Sequence, residues 1–423
     1  MIEVDIRHGD CLAALRDLPD NSVDSVVTDP PYGLSNTKPK QVADVLAAWV
    51  TGETEAVPAK KGGFMGKDWD SFVPPPAVWI ECLRVLKPGG HMAVFAGART
   101  QDLMGLSIRL AGFEIRDTLG WIYGSGFPKS MDVSKAIDKA SGAEREVLSE
   151  RPAYGIGGNG ILSGHAEGAT AKTTAPATPE AVKWDGWGTA LKPAIEPIIL
   201  ARKPLVGTVA NNVLEHGVGG LNIDACRVGD DVRPKGASTG EIVSENGSMA
   251  GPNTGRKVVG TVTGRFPANV LLDEHAAKEM DRQSGISVSS MGNKGLAAVG
   301  QHGGQAGDEI NRKSGTDYVR GHNDSGGASR FFPVFKYQAK APKKERPVFV
   351  REDGTKITHP TVKPVALMEW LVTLITPEGG TTLDPFAGTG TTLQAARNKG
   401  FNSIGVEQDD DYIQLIEARL STD

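Results

Sequence analysis

The sequence contains few cysteines, and this scarcity excludes two common ways of stabilising a fold. Of 423 residues, three are cysteine: Cys11, Cys82 and Cys226. They lie far apart and form neither a CxxC pair nor a spaced Cys/His set. The sequence therefore predicts neither a disulfide framework nor a zinc site. We expect reduced thiols and no bound metal.

Long apolar runs are also missing. The chain has no run of about eighteen apolar residues, the length that a membrane-spanning helix needs. Its amino terminus lacks the basic start and apolar stretch of a signal peptide. We therefore predict a cytoplasmic protein with no membrane partner.

Neither charge sign dominates the chain as a whole. Lys and Arg number 46 and Asp and Glu 51, a formal net charge of −5, so any argument for nucleic-acid binding must be local. Residues 330–351 supply one, with seven basic residues, one acidic residue and aromatic side chains between them. This composition favours phosphate contact and base stacking, although a charged run is also typical of a solvated face.

Strand and helix patterns alternate along much of the chain and predict a Rossmann-like, doubly wound, mostly parallel α/β sheet. Residues 1–204 and 330–423 would form the two halves of one domain, with residues 205–329 as a loop-rich region between them. Within the first half, residues 140–183 include a stretch of Gly, Ala, Thr and Ser that predicts a flexible insertion. A long polar segment after Tyr32, with Phe64 and Trp69, predicts a lid or binding loop that ends near Pro76.

A short motif predicts a rigid pocket at the end of the second strand. The motif consists of Asp29, Pro30, Pro31 and Tyr32. Each proline fixes its own φ and restricts the preceding residue, so the Asp29 carboxylate and the Pro30 carbonyl have little freedom. Two such acceptors beside a stacking aromatic ring suit a planar heterocyclic amine. The alternative is an ordinary strand end followed by a proline turn.

A second motif predicts a nucleoside site near the carboxyl terminus. A strand leads into the segment Asp384, Pro385, Phe386, Ala387, Gly388, Thr389, Gly390, and the next strand ends on Glu407. This order is typical of the nucleoside-binding half of a Rossmann-like fold. The third glycine of the dinucleotide fingerprint is missing, which disfavours a nicotinamide dehydrogenase. An amino-acid nucleoside fits better, with Asp384 meeting an ammonium and Glu407 accepting two ribose hydroxyls.

Asp10 follows the first predicted strand, at the sheet edge where open α/β proteins bind ligands. Its carboxylate is suited either to an adenine amino group or to capping the next helix. Spacing alone leaves both interpretations open.

Together these motifs resemble those of the S-adenosylmethionine-dependent DNA amino-methyltransferases in the permuted (beta) order. In that family the catalytic tetrapeptide comes first, a target-recognition region follows, and the cofactor motif comes last. The segment His359-Pro360-Thr361-Val362-Lys363-Pro364 also stands in its expected place. The resemblance covers residues 2–130, 184–204 and 328–420.

The resemblance implies roles for particular residues. Asp29, Pro30, Pro31 and Tyr32 would hold and stack a base flipped out of double-stranded DNA. Those implied to bind S-adenosylmethionine are Asp10, Cys11, Asp29, Thr361, Lys363, Asp384, Pro385, Phe386, Ala387, Gly388, Gly390, Glu407 and Gln408. Among them, Asp10 would meet the adenine, Glu407 the ribose, and Thr361 with Lys363 the methionine carboxylate.

The activity that the resemblance implies is site-specific methylation of adenine N6, since an Asp at residue 29 is more typical of adenine enzymes and a Ser of cytosine-N4 enzymes. Cytosine-N4 methylation, RNA or protein glutamine methylation, and a catalytically idle DNA-binding protein stay open as alternatives. So do a homodimer and a cognate restriction endonuclease as partners.

Overall fold

The structure is a computed structural model that describes residues 2–35, 37–58, 70–124, 126, 130–152, 170–237, 257–289, 324–335, 347–359 and 361–421. By internal contacts the chain divides into two compact units, Met1–Gly124 with Ile195–Asp423, and Ser125–Ala194. Three predicted features fall wholly or largely outside the described residues: the loop side chains Phe64 and Trp69, the glycine-rich segment after residue 289, and the basic stretch 336–346.

Eleven α-helices occur in the described residues. They are α1 (Cys11–Arg16), α2 (Pro39–Val50), α3 (Pro76–Val85), α4 (Gln101–Leu110), α5 (Val133–Ser141), α6 (Pro179–Lys183), α7 (Val209–His216), α8 (Glu274–Ser284), α9 (Val365–Ile375), α10 (Thr391–Lys399) and α11 (Asp410–Ser421).

Seventeen strands accompany them in the same part of the chain. They are β1 (Val4–His8), β2 (Val23–Thr28), β3 (Leu86–Phe95), β4 (Glu114–Ile122), β5 (Val147–Pro152), β6 (Thr170–Thr174), β7 (Ile195–Arg202), β8 (Val228–Ala237), β9 (Lys257–Arg265), β10 (Val270–Asp273), β11 (Ser287–Ser289), β12 (Asp324–Gly326), β13 (Val334–Phe335), β14 (Phe349–Val350), β15 (Lys356–Ile357), β16 (Thr381–Asp384) and β17 (Asn402–Glu407).

A nine-stranded sheet forms the centre of the larger unit, in the order β1-β17-β16-β2-β3-β7-β4-β10-β13. All neighbours pair in parallel except at β7, which is antiparallel to both β3 and β4. The prediction of a mostly parallel α/β sheet is confirmed. Strand β10, from the region 205–329 that was expected to be rich in loops, extends this same sheet, and β13 pairs with it at the edge.

Helices cover both faces of the sheet, and the strand residues alternate between them. Val26 joins the apolar cluster that contains Trp79 of α3, whereas Val27 joins the cluster that contains Leu371 of α9. Successive side chains of a strand point to opposite faces, so one apolar run serves two layers. All six residues of β2 are buried, as expected for a central parallel strand. Burying each large aliphatic side chain contributes about 1.5–3 kcal/mol to the stability of the fold.

The smaller unit, Ser125–Ala194, contains α5, α6 and the antiparallel pair β5–β6. Its centre is the Asp138 carboxylate, which accepts hydrogen bonds from Arg145 and from the backbone amides of Ala177 and Thr178. Strand β6 lies inside the stretch from which we expected no regular structure. The alternation that marks a strand is hidden there by short Thr and Ala side chains.

One helix corrects the predicted loop between Tyr32 and Pro76. Helix α2 begins at Pro39, where the Lys38 backbone amide donates to the Gln41 side chain, and it buries Val45 and Trp49. Proline suits the first helical turn because its missing N–H needs no partner there. The pattern was missed because only a narrow apolar stripe marks the buried face.

Candidate active site

Four neighbouring strands bring the predicted site residues to one edge of the sheet. Strands β1, β17, β16 and β2 are adjacent and parallel, so their carboxyl ends lie side by side. Asp10, Glu407, Asp384 and Asp29 stand at or just after these ends. The sheet thus aligns the tetrapeptide with the glycine turn, and ligands of open α/β sheets bind at such an edge.

The side chains of Asp29 and Tyr32 are joined to each other and to Lys363. The Tyr32 hydroxyl donates to Asp29 Oδ1 at 2.8 Å. Lys363 Nζ donates to Asp29 Oδ2 at 2.7 Å and to the Tyr32 hydroxyl at 3.0 Å. Both oxygens of Asp29 therefore have a protein donor, which fixes the carboxylate while about a quarter of the side chain stays exposed (24%).

The backbone after the tetrapeptide is held equally firmly. Gly33 adopts φ +64°, and its amide donates to the Asp70 carboxylate at 2.9 Å. A Cβ on Gly33 would lie 2.6 Å from the Val73 nitrogen, so only glycine fits. The Thr100 hydroxyl donates to the Tyr32 carbonyl at 2.6 Å.

Lys363 is buried between two carboxylates. Its ammonium lies 2.7 Å from Asp29 and 3.4 Å from Glu196 Oε2, over the ring of Phe95 at 4.9 Å. Burial alone would lower the pKa of this ammonium, but the two carboxylates outweigh burial and raise that pKa. Lys363 is thus held as a cation beside Asp29 and Tyr32.

Glu196 was not predicted as a site residue. It is the second residue of β7, and burial raises the pKa of its carboxyl despite the nearby Lys363. A signal was present in the sequence, because a single acid stands at the start of the otherwise apolar run Pro197–Ala201.

Asp384 lies at the floor of the site and links the two motifs. It is 3% exposed, and its carboxylate accepts from the Thr28 hydroxyl at 2.7 Å, the Thr392 hydroxyl at 2.5 Å and the Phe386 amide at 3.1 Å. Burial raises the pKa of Asp384 to about 6. Thr28 immediately precedes Asp29, so this hydrogen bond ties the tetrapeptide to the glycine turn.

The glycine turn and Glu407 form one hydrogen-bonded unit. Gly388 and Gly390 adopt φ +54° and +73°. The Gly388 amide donates to Glu407 Oε2 at 2.8 Å, and the amides of Gln408 and Asp409 donate to Oε1, each at 2.9 Å. Burial raises the pKa of Glu407 to about 7, above its usual range.

A groove of about 310 Å³ lies at the end of β1, lined by Arg7, His8, Gly9, Asp10, Ala13, Ala14 and Asp17. Asp10 caps α1 by accepting from the Ala13 amide at 3.0 Å, so the capping interpretation is confirmed. Its carboxylate is exposed beside the groove. The Gly9 amide donates to the Glu407 carbonyl at 2.9 Å, which places the groove next to the glycine turn.

The other predicted cofactor residues around the turn differ in burial and packing. Pro385 and Ala387 are buried, Phe386 packs against Trp79 at 6.3 Å between ring centroids, and Gln408 is exposed. Burial raises the pKa of the Cys11 thiol to about 12, so this thiol is not a ready nucleophile.

His359 is a further neighbour of the turn that we did not single out as a site residue. Its Nδ1 lies 2.6 Å from the carbonyl oxygen of Thr361, which is exposed, and its ring packs on Tyr412 at 4.6 Å between centroids. Its Nε2 faces Gly388, 3.8 Å from the position that a Cβ there would take.

Among the helices of the described residues, none has the length and apolar character of a membrane-spanning helix.

Parts of the chain are similar in sequence to known DNA methylases. Residues 304–418 match the family model N6_N4_Mtase, described as DNA methylase. The chain is 36% identical over 73 residues to the type II methyltransferase M.ScaI of Streptomyces caespitosus, covering 17% of this chain and 24% of that protein. It is 38% identical over 65 residues to the type II methyltransferase M2.DpnII of Streptococcus pneumoniae, covering 15% and 24%. The matched segments thus span about a quarter of these relatives.

Among solved structures, the chain is similar to the PvuII DNA methyltransferase (cytosine-N4-specific), with a TM-score of 0.43 and 12% identity over 98% of this chain and 85% of that one. It is also similar to the M1.HpyAVI–SAM complex, with a TM-score of 0.39 and 14% identity over 99% of each chain. Over residues 304–418, the chain is thus similar to the DNA methylase family N6_N4_Mtase.

Proposed function

We propose that this protein transfers a methyl group from S-adenosylmethionine to the exocyclic N6 amine of adenine in double-stranded DNA. One observation carries the proposal: the Asp29 carboxylate and the Gly388–Gly390 turn stand at the ends of adjacent parallel strands, joined by the 2.7 Å hydrogen bond from Thr28 to Asp384. An amine acceptor and a nucleoside-binding turn therefore face one crevice.

The residues at the turn fit an amino-acid nucleoside. Glycines with positive φ let the backbone approach a ligand closely. The Glu407 carboxylate and the exposed Asp10 carboxylate beside the groove offer acceptors for hydroxyl and amino groups. We assign ribose to Glu407, adenine to Asp10, and contacts along the cofactor to Phe386, Gly388 and Thr361. Lys363 we assign to the catalytic tetrapeptide instead, because its ammonium is already 2.7 Å from Asp29.

When bound, S-adenosylmethionine supplies an electrophilic methyl group on a sulfonium. The protein's task is then to position and polarise a weakly nucleophilic amine. Asp29 Oδ1 and Oδ2 each have lone pairs left after the bonds from Tyr32 and Lys363, and a target N–H donates to one of them. Correct positioning of two reactants replaces roughly 7–11 kcal/mol of barrier, so a rigid carboxylate suits this role.

The base has to leave the duplex before Asp29 can reach its amine. Tyr32 supplies an aromatic face beside the carboxylate for the flipped base. Adenine is favoured over cytosine by the aspartate at the head of the tetrapeptide. DNA is favoured as the substrate by the family match; a homodimer or a partner endonuclease stays a prediction.

Mass analysis of nucleosides tests the proposal directly. Unmethylated DNA is incubated with the purified protein and S-adenosylmethionine, digested and analysed for N6-methyladenine and N4-methylcytosine. We expect N6-methyladenine alone. N4-methylcytosine would correct the base, and neither product, with cofactor binding intact, would favour an idle DNA-binding protein.

A further inference from the structure

We propose that Glu196 is a positioning residue of the methyl transfer, which acts through Lys363 to keep the net charge around the target amine negative. The inference rests on the proposed function. It concerns a side chain that lies outside the tetrapeptide and the glycine turn.

The geometry places Glu196 behind Lys363 as seen from Asp29. Lys363 Nζ lies 2.7 Å from Asp29 Oδ2 and 3.4 Å from Glu196 Oε2, and the lysine side chain is 9% exposed. The three groups come from the end of β2, the start of β7 and the segment before α9. Two carboxylates, each with about a quarter of its side chain exposed (24%), therefore share one buried ammonium.

The net charge of this cluster determines the electrostatic environment of the target nitrogen. Asp29 and Lys363 alone would form a neutral pair, since one negative and one positive charge cancel. Glu196 adds a second negative charge, so the cluster carries a net charge of −1. In a poorly solvated site, a charge acts over several ångströms more strongly than in water.

The reaction moves positive charge toward this cluster. As the amine nitrogen forms its bond to the methyl carbon, the carbon–sulfur bond breaks and its electron pair stays on sulfur. The sulfonium becomes a neutral thioether, and the nitrogen becomes a methylammonium until its proton leaves to water. A net negative cluster stabilises the developing ammonium, whereas a neutral one does not.

The variants Glu196→Gln and Glu196→Asp separate charge from shape. The first keeps the side-chain size and removes the charge, and the second keeps the charge on a shorter stem. We expect the single-turnover rate with saturating cofactor and unmethylated DNA to fall on the order of tenfold in Glu196→Gln at about pH 8.5. Glu196→Asp should retain most of the rate. Cofactor affinity should stay within about twofold in both variants, because neither residue change touches the glycine turn.

The pH dependence distinguishes this role from a structural one. The ionisable groups that act on Glu196 among the described residues are Lys363, Asp29 and Tyr32. Burial raises the pKa of the Glu196 carboxyl, so it takes up a proton as the pH falls and then resembles glutamine. The rate ratio of wild type to Glu196→Gln should therefore fall toward one as the pH is lowered from about 8.5.

A charge-balancing double variant gives a second test. Glu196→Gln with Lys363→Met leaves Asp29 as the single charge and restores a net −1. Because Glu196 acts through Lys363, we expect Glu196→Gln to slow a Lys363→Met protein less than it slows wild type at saturating cofactor, whereas two independent structural losses would add. An infrared titration of the cofactor-free protein, wild type minus Glu196→Gln, should show a carboxylate band that appears above the usual glutamate pKa.

The outcomes separate this inference from the proposed function. Methylation by wild type, with a rate ratio to Glu196→Gln that is constant with pH or with an equal effect of Glu196→Gln in wild type and in Lys363→Met, would overturn the role of Glu196 alone. No methylation by wild type, with cofactor bound, would overturn the proposed function and this inference with it.

Discussion

The Lys363 ammonium donates a 2.7 Å hydrogen bond to the Asp29 carboxylate, although 334 residues separate them in the chain. The contact joins the segment before α9 to the end of β2, so residues distant in the sequence together fix the Asp29 carboxylate. Removing one partner of such a buried pair leaves the other charge uncompensated, which costs more than the pair itself contributes. Substitutions at either residue should therefore be compared as neutral isosteres as well as truncations.

Substitution of Asp29 should separate catalysis from cofactor binding. We expect Asp29→Asn to reduce methyl transfer about 10²–10³-fold, because an amide offers one acceptor and no charge to the target amine. Asp29→Ala should abolish transfer. The measurements are tritiated methyl transfer to DNA and the dissociation constant for S-adenosylmethionine, which should change by less than about threefold.

Asp44→Asn on the exposed face of α2 is the matched control and should retain full activity. Near wild-type transfer by Asp29→Ala would show that another group holds the amine.

Cofactor affinity should depend on pH through Glu407. Burial raises the pKa of Glu407 to about 7, so the carboxylate is increasingly protonated as the pH falls below that value. An ionised carboxylate accepts hydrogen bonds from hydroxyls more strongly than a neutral carboxyl. Affinity should therefore rise with pH up to about 7 and level off above it.

Calorimetric titrations of wild type and Glu407→Ala across this range test the assignment. The variant should bind more weakly and lose the pH dependence. The same pH dependence in Glu407→Ala would point to another group, such as Asp384, whose pKa is about 6.

Gly33 should be far less replaceable than a glycine of similar backbone conformation. Gly33→Ala places a Cβ 2.6 Å from the Val73 nitrogen and 2.7 Å from the Phe72 carbonyl carbon, at φ +64°. We expect a loss of more than about 3 kcal/mol in the free energy of unfolding, from backbone strain and steric clash together. Urea denaturation measures it.

Gly217→Ala, at the end of α7, is the matched control, with φ +74° and no other atom within 4 Å of the added Cβ. It should cost only about 1–2 kcal/mol, the conformational part. Equal losses at the two positions would contradict the packing described around Gly33.

The hydroxyl of Thr392 should stabilise the charged form of Asp384. Thr392→Val removes the 2.5 Å hydrogen bond to Oδ2 and should lower the free energy of unfolding by about 1.5–3 kcal/mol at pH 8. Burial raises the pKa of Asp384 to about 6, so below that pH the neutral carboxyl depends less on the donor and the loss should shrink.

Thr382→Val on β16 supplies the comparison. That threonine is also fully buried, and its hydroxyl has no hydrogen-bond partner among the described residues. Its replacement should be neutral or slightly stabilising. A similar loss in both variants would mean that shape, rather than the hydrogen bond, accounts for the effect.

Local patterns in the sequence predicted much of the framework. Helix α9 runs from Val365 to Ile375 as expected, since its apolar spacing lies between Pro364 and Pro377. The sequence predicts strands at 25–27, 381–383 and 403–406, and β2, β16 and β17 extend one or two residues beyond these limits. These segments are recognisable because each contains apolar residues and ends beside Pro, Gly or acidic residues.

Such local patterns could not predict contacts between residues that are distant in the sequence. Nothing along the chain indicates that β7 inserts antiparallel between β3 and β4, and this placement is what brings Glu196 toward Lys363. Asp384 was expected to meet a ligand, yet its oxygens accept hydrogen bonds from Thr28 and Thr392. Local spacing identifies which residues end strands, but not which partners the sheet order brings to them.

The hydrogen bond between Thr28 and Asp384 spans two neighbouring strands that are 356 positions apart in the chain. The pairing of β2 with β16, and no connecting loop, sets the distance between them, so changes confined to the surface loops of the intervening sequence leave that distance unaltered. Under the proposed function, the DNA sequence that the protein recognises can therefore change during evolution without a change in the site of methyl transfer.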